Sequence, residues 1–83
     1  MPVKARILIQ LKKGILDVQG SAVRRALEGL GFAELRDLKV GKVIELEVEC
    51  PDARAARDRV EEMCQRLLAN PVIEDYTVEC PLP

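Results

Sequence analysis

Between Val3 and Lys12 the chain alternates. Val3, Ala5, Ile7, Ile9 and Leu11 face one way, and Lys4, Arg6, Gln10 and Lys12 face the other. Period two with β-branched residues predicts a half-buried strand over 3–12, with Leu8 the one apolar residue on the polar side. A loop, Lys13 to Leu16, then delivers Asp17 as an N-cap. Beyond it Val23, Ala26, Leu27 and Leu30 recur at helical spacing, with Gly31 placed just past the helix end. Gly20 costs up to about 1 kcal/mol relative to alanine in such a helix. It is expected either to fray the first turn or to let another backbone approach.

Residues 34–40, ELRDLKV, read as a short second strand, and Gly41-Lys42 as a tight hairpin turn. The next segment, VIELEVEC over 43–50, sets Ile44, Leu46, Val48 and Cys50 against Glu45, Glu47 and Glu49 and predicts a third strand. Pro51 ends it and Asp52 caps a second helix whose inner face holds Ala56, Val60, Met63, Cys64 and Leu67. Its outer face carries opposite charges four apart, Arg54–Asp58, Arg57–Glu61 and Glu62–Arg66, each pair contributing a few tenths of a kcal/mol. Asn70, which tolerates the left-handed conformation that ends a helix, and Pro71, which cannot continue one, predict the helix stop and the start of a last strand, about 72–80.

The predicted order is β-α-β-β-α-β. Val23, Ala26, Leu27 and Leu30 are echoed by Val60, Met63, Cys64 and Leu67, and LRDLKV (35–40) by IEDYTV (73–78), as in an internal duplication. Two such halves predict an α+β fold, a ferredoxin-like four-stranded antiparallel sheet with both helices on one face, in a single domain spanning 1–83. Strands one and three would be central neighbours. The open sheet face would then hold Lys4, Arg6 and Lys12 beside Glu45, Glu47 and Glu49. Such a face is either wet or a self-complementary docking surface.

Size changes this picture. A chain of 83 residues buries only about 60–65% of the surface its unfolded form exposes, so association with a second copy or a partner is expected. Thirteen basic and fourteen acidic residues give a net charge of −1, which argues against nucleic acid and against an electrostatic membrane anchor. The apolar run Ile7-Leu8-Ile9 is too short for a signal-peptide core or a membrane span, so a cytoplasmic location is expected.

Candidate chemistry is sparse. There is no histidine, and Cys50, Cys64 and Cys80 form no C-x-x-C pair, so the expected cysteine role is packing. No activated nucleophile, phosphate loop or metal cluster is visible, and one Phe and one Tyr cannot make a base-stacking platform. Catalytic, cofactor-binding and metal-ligating residues are therefore expected to number none. The loop residues Lys12, Lys13, Gly14, Lys42, Asn70 and Pro71 are the candidate partner contacts.

LKKGILDVQGSAVRRALEGLGF, VGKVIELEVE and MCQRLLANPVIEDYTVE together resemble the PurS subunit family of phosphoribosylformylglycinamidine synthase, in order and spacing over essentially the whole chain. Val18 stands where that family often has proline. The resemblance implies a small dimeric subunit without catalytic residues, bridging a glutaminase subunit and a large synthetase subunit. The resemblance further implies that this complex uses ATP and Mg to aminate formylglycinamide ribonucleotide in purine biosynthesis, and that strands can be exchanged between protomers. A different class, a metabolite-binding regulatory module of the same β-α-β-β-α-β plan with Gly14 or Gly20 near its ligand, is the alternative.

Overall fold

Residues 1–83 are described by a computed structural model. The alternating segment forms β1 (Pro2–Leu11), and β2 (Lys42–Glu49) and β3 (Glu74–Glu79) flank it in an antiparallel sheet of order β2-β1-β3. Its apolar side chains, Val3, Ala5, Ile7 and Ile9, are buried beneath α2 (Ala53–Met63), whose Ala56 and Val60 are fully covered. Asp52 caps α2 by accepting from the Ala55 amide at 2.8 Å.

The first helix, α1 (Val18–Gly29), is scarcely packed against the rest of the chain, and Gly20 is its one buried residue. Asp17 caps it as expected, accepting from the Gly20 amide at 2.8 Å. The first turn is not frayed. A Cβ at Gly20 would run into the Asp17 carboxylate, so glycine leaves the cap its place, and no second backbone approaches. Gly31, with φ near 100°, closes the helix as its N–H bonds the Glu28 carbonyl and Phe32 reaches back to Leu27.

Several expectations are corrected. The strand over 34–40 and its Gly41-Lys42 hairpin do not form, so the sheet has three strands and β2 lies at its edge. Two of the amides in that segment are taken by side chains: Leu38 N–H donates to Asp37, and Val40 N–H donates to Asp17 at 2.9 Å. Lys42 already belongs to β2, opposite Ile9.

The apolar face expected of α1 is not covered either: Val23 and Ala26 are exposed, Leu27 is half-buried, and Leu30 is 75% exposed. Correspondingly, Ile44, Leu46 and Val48, which stand opposite Ile7, Ala5 and Val3, are only half-buried. The radius of gyration is 16.3 Å, against about 12 Å for a compact chain of this length.

The second helix ends in a π-helical turn, Cys64–Leu68. The wider turn rotates the residues beyond it about the helix axis, so Cys64 stays buried while Leu67 swings out to 83% exposure and Met63 is half-buried. Asn70 is not left-handed, since no residue other than glycine has positive φ. It ends the helix through its side chain, which accepts from the Val72 amide at 3.0 Å.

Of the predicted helix pairs, Glu62–Arg66 forms at 3.4 Å, whereas Arg57 turns away from Glu61 to donate to the Val78 and Cys80 carbonyls. Glu61 accepts instead from the Tyr76 hydroxyl at 2.9 Å. On the open face Arg6 pairs with Glu45 at 3.5 Å, while Lys12 pairs with Asp75 and not with the β2 glutamates.

Candidate subunit interface

Lys12, Lys13, Gly14, Lys42, Asn70 and Pro71 are far apart in sequence but converge where β1 ends and β3 begins. The Lys12 amide donates to the Ile73 carbonyl at 2.7 Å, and its ammonium meets Asp75 at 2.8 Å. Lys42 reaches Glu74 at 3.3 Å, and the same carboxylate accepts from the Asn70 amide at 2.7 Å. The Asn70 amide first, and Lys42 after it, hold the Glu74 carboxyl below the usual carboxylate range. Lys13 and Gly14 form the tip of a turn closed by Ile15 N–H on the Lys12 carbonyl, with Gly14 at positive φ. Pro71, next to Asn70 in the chain, is exposed.

Asp17 ties this end together. It accepts from Gly20 and from Val40, and these two amides, Val40 foremost, hold its carboxyl below the usual range, with Lys39 adding to the effect. The arrangement fixes backbone and charge in place. It offers ion-pairing and apolar contact rather than bond-making chemistry.

The thiols lie elsewhere. Cys64 and Cys80 are buried and Cys50 is half-buried, all unpaired, and burial pushes the Cys64 thiol up, away from the reactive thiolate. No side-chain cluster has the composition of a metal site, and no polar or charged residue is buried. The Glu61 carboxylate pushes the Tyr76 phenol up, which keeps that hydroxyl a donor.

Sequence reasoning missed Lys39, Leu16 and Val18 at this end. The signal was available in GILDV: Ile15, Leu16 and Val18 are apolar residues that neither the strand period nor the helix stripe requires.

The family model described as phosphoribosylformylglycinamidine (FGAM) synthase, PurS, matches residues 4–81. The chain belongs to the PurS family. The PurS subunit of Bacillus subtilis is 46% identical over 76 residues, covering 92% of this chain and 89% of its own. The crystal structure of Methanocaldococcus jannaschii PurS superposes with a TM-score of 0.83 at 40% identity, over 96% of this chain and 95% of that one. A chain in the structure of PurLQS from Thermotoga maritima superposes with a TM-score of 0.88 at 32% identity, over 96% and 98% of the two chains. PurS membership makes the chain a subunit of phosphoribosylformylglycinamidine synthase, and it disfavours the alternative of a metabolite-binding regulatory module. No helix is long and apolar enough to cross a membrane.

Proposed function

We propose that this subunit acts as a homodimeric bridge in the cytoplasm, holding a glutaminase subunit and a large synthetase subunit of the synthase together. The synthetase would use ATP and Mg to activate formylglycinamide ribonucleotide. The ammonia that replaces the amide oxygen would come from glutamine at the glutaminase. Tethering the two sites replaces a dilute encounter with a local one, provided the geometry allows both to be engaged.

One observation carries the dimer: α1 leaves its apolar stripe bare while the helix-side face of β2 also lacks a cover. A second copy resolves both at once, its α1 lying over Ile44, Leu46 and Val48 while the first chain's α1 does the same in return. Such reciprocal exchange is self-complementary under a two-fold axis. It would complete, between two chains, the ferredoxin-like layering that one chain leaves open.

The test reconstitutes the synthase from its separate subunits. Omitting this chain is expected to abolish glutamine-dependent amidine formation while leaving synthesis from added ammonia. Full glutamine-dependent synthesis without it, at matched concentrations of the other subunits, would remove the bridging role.

A further inference from the structure

Two depressions adjoin at the end of the sheet, on either side of the Asp17–Val40 contact. One, of about 280 Å³, has Ile9 and Leu11 as its floor and Leu16 and Val18 as a wall, with Lys42 and Glu74 at its rim. The other, of about 80 Å³, is lined by Lys12, Lys13 and Lys39 around Gly14 and Asp17. Leu16 is 75% and Val18 69% exposed, although each sits in a segment pinned on both sides. The Ile15–Lys12 turn, the Lys12–Ile73 bond and the Asp17 cap fix its backbone. Rigid exposed apolar side chains beside a charged rim are how an interface anchor is built, because little order has to be gained on binding.

The charges select the occupant. Lys12 and Lys42 are committed to Asp75 and Glu74, whereas Lys13 and Lys39 form no ion pair. Asp17 is already saturated by two amides. The second copy's α1 suits this place badly, since it brings Arg24 and Arg25 against the single Glu28.

We propose that the groove formed by residues 12–18 and 39–42 docks an acidic segment of an enzyme subunit of the synthase. A large apolar side chain of that segment enters beside Leu16 and Val18, and an adjacent carboxylate lies against Lys13 and Lys39. This deepens the bridging reading and rests on it, adding which end of the molecule is engaged and what chemistry engages it. Both copies of a dimer present the groove.

The test assembles the complete synthase with wild-type chain, with Lys13→Glu/Lys39→Glu, with Leu16→Ser, and with Arg54→Glu on the exposed face of α2. Affinity for each enzyme subunit is measured at low and at physiological salt. The double lysine variant is expected to lose roughly tenfold or more in affinity for one of them, most at low salt, where the new repulsion is least screened. Leu16→Ser is expected to lose roughly tenfold at either salt, and Arg54→Glu to bind as wild type. Sedimentation should show every variant still dimeric. A photo-crosslinker at position 16 should label an acidic stretch of the same enzyme subunit. Wild-type affinity in both groove variants, loss of the dimer in either, or crosslinking to a second copy of this chain would overturn the proposal and leave bridging intact. Failure of the wild-type chain to bind either enzyme subunit would remove both readings together.

Discussion

The Asp17 carboxylate accepts a hydrogen bond from the amide of Val40, 2.9 Å away and 23 residues later in the chain. With the Gly20 amide on its other oxygen, one side chain both starts α1 and anchors the segment that leads into β2. Because the bonded carboxylate is the favoured form, its folded pKa is depressed. The stability this linkage contributes is therefore present above the unfolded value of about 4 and is lost as pH falls through the folded one. Asp17→Asn should melt lower than wild type at pH 7, and the gap should close in acid, once the pH lies below the depressed folded value. Thermal melts at neutral and acid pH check this, and a gap that persists in acid would count against it.

Gly20→Ala should destabilise. At an ordinary helix position the change stabilises by up to about 1 kcal/mol, but here the added methyl meets the Asp17 carboxylate. A loss of about 1 kcal/mol in chemical denaturation is expected, and a gain would mean that the cap does not occupy its described place.

Arg57 looks in sequence like one more residue of a solvated helix face, yet its guanidinium holds the Cys80 carbonyl at 3.1 Å and the Val78 carbonyl at 3.5 Å. Arg57→Ala should cost about 1 kcal/mol, whereas Arg54→Ala should stay within about 0.5 kcal/mol. Urea denaturation of the two variants side by side separates the roles.

The π-helical turn makes a similar contrast. Val60→Ala removes a fully buried side chain and should cost about 1–3 kcal/mol. Leu67→Ala, from a residue 83% exposed, should cost less than about 0.5 kcal/mol in the isolated protein. Equal losses would indicate an uninterrupted α-helix.

The exchange of α1 between copies is checked from both sides. Leu27→Asp on the helix and Leu46→Asp on β2 should each shift sedimentation toward the monomer at micromolar concentration, since each puts a charge into the same apolar contact. If either variant stays as dimeric as wild type, α1 does not lie on β2.

Legibility in the sequence tracks the reach of each signal. Alternation in 3–12, broken only at Leu8, and in 44–50 marks β1 and β2, and the caps at Asp17 and Asp52 are readable because a cap is a local event. Residues 34–40 read as a strand although they form none: Asp37 and Asp17 take the amides of Leu38 and Val40, a choice that alternation does not encode. Leu67 reads as buried because periodicity assumes 3.6 residues per turn, which the π-helical turn breaks. The loop residues Lys12, Lys13, Gly14, Lys42, Asn70 and Pro71 read as separate turns. The meeting of Lys12 with Ile73, and of Lys42 and Asn70 with Glu74, depends on the pairing of β1 with β3, which no local pattern states. Val18, at the first position of α1, lacks the preset φ that a proline would bring there, but Asp17 supplies the helix start.

The flat shape, only 14 Å through its thinnest direction, carries a last consequence for how the molecule comes into being. With 11 of its 83 residues buried, a slab that exchanges α1 as proposed would gain much of its cohesion only when another copy arrives, and reaching the native state would become a second-order reaction. Its rate and its completeness would then rise with concentration.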